Sequence, residues 1–288
     1  MKIKFLGSGS AIPLRGVRRN KRTPASFVVS YSGKNVLVDP TPMVKDQLSQ
    51  NYIVDIHAII ITHAHSKASG GLGYCIKTFK DIPVYASQPN LTYIENLCGY
   101  TLPNKHYFSA GVPFTLFGAK ITPVGVIHTE VLSKGCNHST TAIKINKAML
   151  AKDVYEIPPE SECFFDGLDF LAIDSLTYFK KTLRGHMSIE QAIGCISKYK
   201  PYKAVLTHIG KSFPEYNKAN KRIRTYCYFS NIHSDVEIGY DGMEIDMEQL
   251  SFEKGKRGEL KRDIRIVHPH GERFIPGQKM WTTPKGIF

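Results

Sequence analysis

The amino-acid sequence predicts an α/β fold in which two β-sheets pack face to face with helices on their outer sides. Two observations support this prediction. Short apolar runs at 2–7, 26–31 and 35–38 are separated by Gly, Ser and Asn, which is typical of antiparallel strands joined by turns. Farther along, buried-strand patterns alternate with helix patterns in both halves of the chain, as a layered α/β fold requires.

The first strand–helix unit begins at residues 57–62. This run is almost continuously apolar, which predicts a strand buried on both faces. A Gly-Gly pair follows, and apolar side chains then recur at positions i, i+3, i+4 and i+7. That spacing predicts a helix whose buried stripe consists of Leu72, Cys75, Ile76 and Phe79.

A second unit repeats this order. Residues 169–174 predict a buried strand, and Ser188 with Gln191 forms a capping-box sequence at the start of a helix. Pro201 predicts the end of that helix, because proline cannot continue it. Residues 203–207 then predict another buried strand, which is followed directly by a histidine. The carboxyl edge of such strands is where layered α/β folds build their sites.

Composition limits the class of protein. The chain has 288 residues, of which 42% are hydrophobic and 22% charged, so it can bury a sizeable core and is neither disordered nor collagen-like. Lys and Arg number 38 against 25 Asp and Glu, a net charge of +13. This excess attracts polyanions such as phosphodiesters, nucleotides or acidic membrane surfaces, although a solvated basic surface explains it equally well.

The compartment follows from what the sequence lacks. No apolar run approaches the roughly 18 residues of a membrane-spanning helix, and the first residues lack the layout of a signal peptide. The six cysteines lie far apart without a C-x-x-C pair, which favours reduced thiols over a disulfide framework. We therefore expect a cytoplasmic protein without a membrane partner.

Metal-ligating residue types follow several strand-like runs. His63 and His65 lie two residues apart in an extended segment, so both imidazoles can face one point. His128, Asp153 and His208 each follow a further apolar run. Hydrolytic zinc sites favour several histidines with a carboxylate and leave one position for water. A lone histidine at a strand end is usually structural, but these five residues together predict a metal site.

Nine short motifs follow one another along residues 1 to about 247: Phe5–Ser10, Leu37–Asp39, His63–His65, His128, Ala151–Asp153, Leu171–Asp174, Gly185–Ser188, Leu206–Ile209 and Gly239–Met243. In this order they resemble the metallo-β-lactamase fold superfamily. The resemblance is closest to its phosphodiesterase branch, which contains phosphoribosyl cyclic phosphate phosphodiesterases, cyclic-nucleotide phosphodiesterases and tRNA 3′-processing nucleases.

The resemblance implies a four-layer αββα metallo-β-lactamase sandwich and a set of metal ligands. By it, His63, His65 and His128 hold a first metal ion, Asp153 bridges two ions, and His208 serves the second. It also implies that the cofactor is Zn²⁺ or Mn²⁺.

One turn departs from the family pattern, which reads His-x-His-x-Asp-His. This chain has Lys67 in place of the aspartate and Ala68 in place of the second-metal histidine. A protonated ammonium and a methyl group cannot coordinate a metal, so we expect one ion rather than two. Three outcomes are open: the enzyme works with one metal, Lys67 places its charge where the second cation would be, or the active site is dead. A plain solvated loop lysine is the structural alternative.

His186 has a separate predicted role. It lies just before the capped helix, and in the resembled enzymes an equivalent histidine faces the scissile phosphate, which fits a general acid for the leaving oxygen. The structural alternative is a histidine that hydrogen-bonds the start of the helix. We expect Asp174 to orient a ligand or to cap a strand rather than to bind metal.

Positive charge is concentrated in two segments. Arg15, Arg18, Arg19 and Arg22 lie together with Lys21 between the first two strands, where guanidinium groups could bind substrate phosphate. The second segment combines tyrosines with cations, a mixture that can bind a nucleotide by charge and stacking; its cations are Lys211, Lys218, Lys221, Arg222 and Arg224. For both segments a solvated surface is the alternative.

Two hypotheses follow. In the first, the protein is a metal-dependent phosphodiesterase in which metal-bound hydroxide attacks phosphorus and His186 protonates the leaving oxygen, with Lys67 and Asp153 also catalytic. A small cyclic phosphate or nucleotide is favoured over RNA, because the long exosite arm of the tRNA nucleases is not evident. In the second, a catalytically degenerate relative binds nucleic acid or a protein partner through its basic surface.

We divide the chain into a metallo-β-lactamase-like domain at 1–247 and a basic extension at 248–288. Residues 251–288 hold nine Lys or Arg and four Asp or Glu, and residues 265–267 could add an edge strand. The extension could wrap the domain, meet a partner or touch nucleic acid, and the sequence does not choose among these. A homodimer is also left open.

Overall fold

The computed structural model describes most of the chain, namely residues 1–10, 13–14, 18–99, 101–128, 139–179 and 185–263. For Arg18 and for residues 257–263 it describes the backbone only. The expected edge strand at 265–267 lies outside the described residues. Among the described helices, none combines the length and apolar character needed to cross a lipid bilayer.

Seven strands form the first sheet, in the order β14-β1-β2-β3-β4-β5-β6. The pairs from β14 to β3 are antiparallel, and those from β3 to β6 are parallel. The strands are β1 (Lys2–Gly7), β2 (Ser26–Tyr31), β3 (Lys34–Val38), β4 (Ala58–Ile60), β5 (Val84–Ala86), β6 (Lys105–Tyr107) and β14 (Glu244–Asp246).

The second sheet has the same plan, with the order β13-β12-β11-β10-β9-β8-β7. Here the pairs from β13 to β10 are parallel and those from β10 to β7 antiparallel. The strands are β7 (Phe114–Leu116), β8 (Ala119–Val126), β9 (Thr140–Ile145), β10 (Ala148–Ala151), β11 (Phe170–Asp174), β12 (Lys203–Thr207) and β13 (Asp235–Ile238).

Helices connect the parallel strands, as parallel pairing requires. They are α1 (Val44–Gln50), α2 (Ser66–Ser69), α3 (Leu72–Thr78), α4 (Gln88–Cys98), α5 (Pro159–Glu162), α6 (Ile189–Tyr199), α7 (Tyr216–Phe229) and α8 (Met247–Asp263). Single 3₁₀ turns occur at Arg18–Asn20 and Cys163–Phe165.

The alternation of side chains along β11 shows how the layers pack. Phe170 and Ala172 belong to the core between the sheets, whereas Leu171 and Ile173 belong to a second core beneath helices α6 and α7. The ring of Phe170 meets that of Phe5 of β1 edge to face, with centroids 6.4 Å apart, so the two sheets pack face to face. On the far side of the first sheet, α1, α3 and α4 contribute apolar residues to the first core. The predicted α/β sandwich is confirmed.

Most predicted elements occur where the patterns place them. The strand predicted at 57–62 is shorter, at Ala58–Ile60, because the chain leaves the sheet before the histidine turn. Helix α6 begins with the predicted capping box, in which Ser188 Oγ accepts from the Gln191 backbone and the Gln191 side chain accepts from the Ser188 N–H. Residues 248–263 continue as helix α8, and the boundary at 247 stays a prediction.

Candidate metal centre

The candidate site lies where strands of both sheets end. His63 and His65 follow β4 of the first sheet, whereas His128 follows β8 of the second. Asp153 lies two residues after β10, and His208 directly follows β12. The carboxyl ends of β10 and β12 meet at one edge because the strands between them are parallel. The five predicted ligands are therefore brought together by the topology.

Three histidines form the first cluster. The ligating nitrogens of His63, His65 and His128 lie within 4.8 Å of one another, a spacing compatible with one shared ion. His63 Nε2 is 4.0 Å from Asp153 Oδ2, and His128 Nε2 is 3.9 Å from Asp153 Oδ1. The Nδ1 of His128 bonds to the carbonyl of Gly185, which leaves Nε2 facing the cluster. This arrangement orients the imidazole as metal-ligating histidines require.

A buried nitrogen without a partner tests whether this cluster fits a metal. His63 is fully buried, and its Nε2 has no hydrogen-bond partner among the described residues. Its Nδ1 lies 2.9 Å from the Thr62 hydroxyl. Leaving a buried polar atom unpaired costs roughly 1–3 kcal/mol, so such atoms usually mark an absent ligand or ion. Asp153 Oδ2 is likewise buried without a hydrogen bond among the described residues, whereas Oδ1 contacts the Lys67 ammonium. The first cluster therefore fits a divalent cation.

Asp153, Asp174, His186 and His208 form the second cluster, whose ligand atoms also lie within 4.8 Å of one another. His208 Nε2 is 3.3 Å from Asp153 Oδ1, and His208 Nδ1 is 3.6 Å from Asp174 Oδ2. His186 bonds through Nδ1 to Asp174 Oδ2 at 2.8 Å and stacks on His208, with ring centroids 4.5 Å apart. Asp174 thus orients the imidazole of His186, whereas His208 Nδ1 is buried without a hydrogen-bond partner among the described residues.

Lys67 places an ammonium group in this second cluster. It lies on the short helix α2, and its Nζ contacts Asp153 Oδ1, the oxygen that His208 also approaches. The neighbouring Ala68 is fully buried and offers only a methyl group. An ammonium repels a divalent cation and cannot ligate it, so the second cluster does not fit a second metal ion as the first does.

A second lysine, Lys152, links Asp153 of the site to neighbouring segments of the chain. Lys152 is buried, and its Nζ donates to the Ala25 carbonyl at 2.8 Å, lies 2.8 Å from Asp39 Oδ2 and reaches to 3.7 Å from Asp153. Asp39 also accepts from the backbone N–H and the hydroxyl of Thr62, at 2.8 and 2.7 Å. This network fixes the turn that carries His63. Asp39 and Lys152 lie in two of the nine motifs, and the sequence signal for their roles is a charged residue that closely follows an apolar strand.

Three residues of this edge have left-handed backbone conformations. Asp39, Asp153 and His208 have φ angles of 61°, 55° and 57°. Such angles cost a non-glycine residue roughly 1–3 kcal/mol and occur most often at functional sites. At Asp153 and His208 the turn directs the side chain into the cluster immediately after its strand.

Burial and charge act in opposite directions on the two aspartates. Burial works against the charge of Asp153, but the positive charge around it, that of Lys67 included, holds its pKa well below the usual value. At Asp174, burial outweighs the contact with His186 and raises the pKa of that carboxyl. Burial also lowers the pKa of His128 to about 4, so this imidazole is neutral near pH 7, as metal ligation requires.

Burial lowers the pKa of His63 and of His208 well below the ordinary value. Both imidazoles are therefore also neutral near pH 7.

The basic loop between β1 and β2 is only partly described. Arg15 lies outside the described residues, as does the side chain of Arg18. The guanidinium of Arg19 lies over the rings of Tyr216 and Tyr240, with 4.9 and 4.6 Å to the ring centroids. Arg19 lines an open cavity of about 680 Å³ with residues of β12, β13, β14 and α7. No residue of either metal cluster lines that cavity.

The remaining arginine of the loop, Arg22, differs from the expectation of an exposed phosphate clamp. Only 3% of its surface is exposed. The loop folds back on itself, so that Arg22 pairs through its backbone with Leu14 and its side chain is buried. Its role in substrate binding stays a prediction.

The second basic segment coincides with helix α7. Four cations and no acidic residue occur between Tyr216 and Phe229, and all four lie on the exposed side; they are Lys218, Lys221, Arg222 and Arg224. Arg222 also lies over the ring of Phe179, 4.7 Å from its centroid. At the end of the helix the rings of Tyr228 and Phe229 are each 81% exposed.

A sandwich of two mixed sheets with a histidine and aspartate cluster at one edge defines a class of metal-dependent hydrolases. The chain belongs to the metallo-β-lactamase superfamily, because residues 34–209 match the family described as the beta-lactamase superfamily domain. Members of this fold use a divalent metal, and the first cluster supplies a matching set of ligands.

Solved structures share the fold of this chain, and one curated protein is similar to it in sequence. A diphosphatase of the PhnP family superposes with a TM-score of 0.73 at 24% identity, covering 85% of this chain and 97% of that one. The short form of human tRNase Z gives 0.62 at 17% identity, covering 86% and 99%. An octanoyltransferase of Porphyromonas gingivalis is 26% identical over 95% of this chain, which spans only 55% of that protein.

Proposed function

We propose that this protein is a metal-dependent phosphodiesterase that works with one metal ion at the first cluster. The observation that carries the proposal is the convergence of three imidazole nitrogens within 4.8 Å of one another, two of them 3.9 and 4.0 Å from Asp153, while His63 Nε2 is buried without a partner among the described residues. The likeness to a diphosphatase and to tRNase Z supports phosphoester chemistry. A small cyclic phosphate or nucleotide remains our favoured substrate over RNA.

His63, His65, His128 and Asp153 would hold the ion. Zn²⁺ and Mn²⁺ both suit this combination of imidazole and carboxylate ligands. When bound, the metal supplies a nucleophile at neutral pH and polarises a phosphoryl oxygen. The protein keeps these ligands neutral or anionic: burial keeps His63 and His128 uncharged, and Asp153 stays ionised.

Lys67 would replace the charge of a second metal. Its ammonium lies against the buried Asp153, next to His208, at the place where relatives with the full turn hold their second ion. A fixed positive charge in a site that excludes water stabilises the negative charge that develops on phosphoryl oxygens in the transition state. The residue thereby supplies by a side chain what a second cation would supply.

His186 would protonate the leaving oxygen. Its Nδ1 is bonded to Asp174, so Nε2 is the nitrogen available to a substrate. Asp174 fixes the ring so that Nε2 is positioned to donate a proton to the leaving oxygen. His208 stacks on the other side of the ring and limits its movement. The leaving alkoxide therefore receives its proton from a positioned imidazole.

Metal analysis together with hydrolysis of bis(p-nitrophenyl) phosphate tests this function. We expect the protein purified without added ions to contain a divalent metal and to hydrolyse the diester. Both properties should be lost in His63→Ala, whereas the exposed His233→Ala serves as a matched control that keeps both. A metal-loaded native protein that does not turn over phosphodiesters would contradict the proposal.

A second candidate function is nucleic-acid binding without catalysis. The exposed cations of α7 and the exposed Tyr228 and Phe229 at its end favour it, because cations contact phosphates while aromatic rings stack on bases. Metal-free protein that binds an RNA oligonucleotide and hydrolyses no phosphodiester would support this alternative. Acyl transfer is not proposed, because the match covers only about half of the octanoyltransferase.

A further inference from the structure

Two buried charged side chains lie behind the turn that carries His63 and belong to neither metal cluster. Asp39 is fully buried, and Lys152 is 2% exposed. The Lys152 ammonium donates to the Ala25 carbonyl at 2.8 Å, and it lies 2.8 Å from Asp39 Oδ2 and 3.7 Å from Asp153 Oδ2. A buried ion pair stabilises a fold little more than well-packed apolar residues of the same volume would, so stability alone does not account for this pair.

The charge of Asp39 fixes the direction of the hydrogen bonds around it. An ionised carboxylate only accepts hydrogen bonds, and the neighbouring Lys152 ammonium favours this ionised form over the protonated one. Asp39 Oδ1 therefore accepts from the Thr62 backbone N–H at 2.8 Å, and Oδ2 accepts from the Thr62 hydroxyl at 2.7 Å. The single hydrogen of that hydroxyl is thereby used.

The Thr62 hydroxyl in turn decides which nitrogen of His63 carries the hydrogen. Thr62 Oγ1 lies 2.9 Å from His63 Nδ1, and because its own hydrogen is given to Asp39 it can only accept there. Nδ1 of the neutral imidazole then carries the hydrogen, which leaves the free lone pair on Nε2. Nε2 is also the nitrogen that is buried and unbonded within the part of the chain that the structure describes, 4.0 Å from Asp153 Oδ2.

We propose that Lys152, Asp39 and Thr62 form a relay that holds His63 in the tautomer that metal ligation through Nε2 requires, with Lys152 as the positioning residue at its start. The ammonium keeps Asp39 an acceptor, the carboxylate orients the Thr62 hydroxyl, and the hydroxyl holds the imidazole hydrogen on Nδ1. This inference rests on the proposed function for the metal at the first cluster, whereas the relay itself is a property of the metal-free chain.

A purely structural role for the ion pair makes a different prediction. If Lys152 only neutralises Asp39 and so holds the turn in place, its loss lowers stability and leaves the tautomer of His63 unchanged. The relay instead predicts that reversing the hydrogen bond at Thr62 moves the hydrogen of His63 from Nδ1 to Nε2. The position of this hydrogen therefore separates the two roles.

The first experiment records two-bond ¹H–¹⁵N correlation spectra of the imidazoles in the full-length, metal-stripped protein, with His63 identified by its absence from the spectrum of His63→Ala. We expect the native hydrogen on Nδ1. Asp39→Asn combined with Lys152→Met leaves no buried charge unpaired. Its carboxamide oxygen still accepts from the Thr62 N–H, so the amide nitrogen donates to Thr62 Oγ1, the hydroxyl donates to Nδ1, and the hydrogen of His63 moves to Nε2.

Lys152→Met tests the first member of the relay on its own. Burial raises the pKa of Asp39, and the Lys152 ammonium acts against this rise. Without the ammonium we expect Asp39 to take up a proton and donate it to Thr62 Oγ1, which again places the hydrogen of His63 on Nε2. Lys144→Met is the matched control, because Lys144 also donates to a backbone carbonyl, that of Phe164 at 2.6 Å, but is no member of the relay.

Zinc affinity, measured by competition with a chromogenic chelator, is the second readout. Thr62→Val removes the hydroxyl and leaves the pair of Lys152 and Asp39 in place. It should weaken zinc binding about tenfold to a hundredfold, the usual effect of losing the outer partner of a ligating histidine. Thr62→Ser keeps the hydroxyl and should bind zinc as tightly as the native protein does.

The spectra decide between the two roles even if Lys152→Met fails to fold, because the double variant and the two Thr62 variants remain. A native hydrogen on Nε2 would overturn the relay, and so would a loss of zinc affinity in the double variant without a change of tautomer. A native protein that binds no zinc would contradict the proposed function, while the spectra of the metal-free chain still test the relay.

Discussion

The two clusters at the edge of the sandwich are built from similar side chains but hold different charges. The first contains three imidazoles around Asp153, with a buried nitrogen unpaired. The second has two carboxylates and two imidazoles, yet the Lys67 ammonium already lies against its shared oxygen. Ligand types alone therefore do not decide how many metals a site can hold, because one cation from a neighbouring turn lies at the second position.

The largest expected effect comes from removing one predicted ligand of the first cluster. His63→Ala removes a ligand that no other described side chain can replace at that point, so metal content should fall to near zero. Hydrolysis of bis(p-nitrophenyl) phosphate should fall at least about a thousandfold, which corresponds to the several kcal/mol that a catalytic metal supplies. Elemental analysis and initial rates measure both. If the variant keeps both its metal and its rate, His63 is not a metal ligand.

The next effect concerns the second cluster alone. Lys67→Ala should lower kcat about a hundredfold to a thousandfold, the range for losing one electrostatic stabiliser, while metal content stays at one ion per chain. Steady-state kinetics and elemental analysis of the same sample separate these outcomes. An unchanged rate would make Lys67 a solvated loop lysine that happens to contact Asp153.

Restoring the family pattern His-x-His-x-Asp-His at this turn tests the same assignment of Lys67. Lys67→Asp combined with Ala68→His should raise metal content from one to two ions per chain. The imidazole enlarges a fully buried position, which costs about 1–3 kcal/mol of the free energy of unfolding, so thermal unfolding is followed alongside. If this double variant hydrolyses phosphodiesters while the native protein does not, the native site is inactive and our proposal is wrong.

A smaller, substrate-dependent effect tests His186. An acid that protonates the leaving oxygen matters most for a poor leaving group. His186→Ala should therefore lower the rate of hydrolysis of a methyl phosphodiester, whose leaving group is methoxide, about a hundredfold or more. Hydrolysis of the p-nitrophenyl diester, whose leaving group needs little protonation, should change much less. Asp174→Asn should reproduce the pattern more weakly, since Asp174 acts through the imidazole. Equal losses for both substrates would indicate a structural role instead.

The last prediction concerns stability rather than rate. Burial holds the pKa of His128 at about 4 in the folded protein, below the value near 6.5 expected when unfolded. The unfolded chain therefore binds more protons between these values, and the free energy of unfolding of metal-stripped protein should fall as pH drops from 7 to 4. The contribution of His128 is on the order of 3 kcal/mol.

Urea unfolding of metal-stripped protein at several pH values measures this slope. His128→Gln should make it shallower without abolishing it, because glutamine does not titrate while the buried His63 and His208 still do, whereas His233→Ala, at an exposed position, should leave it unchanged. A native slope that His128→Gln does not alter would show that the imidazole is not held neutral by burial.

Much of the fold was predictable because burial imposes a period on the sequence. The continuous apolar runs of β4, β11 and β12 and the capping box of α6 are local patterns with local causes. The convergence of His63 and His128 was not predictable from spacing, since they follow strands of different sheets; ligand-type residues at several strand ends indicated it, and the resemblance to a family gave the ligand set. The substitution at Lys67 could be read from the sequence, but its contact with Asp153 depends on how α2 packs.

Other features were missed or mistaken for the same physical reason. Arg22 reads as part of an exposed basic loop, yet the loop pairs with Leu14 and buries the side chain. Lys152 reads as one more surface cation, yet its Nζ is buried between Asp39 and Asp153. A charged residue's burial is decided by distant segments that close over it, and no local pattern records that.

Elemental analysis of native protein, expressed in metal-replete medium and purified without chelators or added ions, tests the central claim most directly. The account predicts one equivalent of zinc or manganese per chain, because the first cluster is complete and Lys67 occupies the second. Two equivalents would contradict the assignment of Lys67, and none would contradict the metal centre itself.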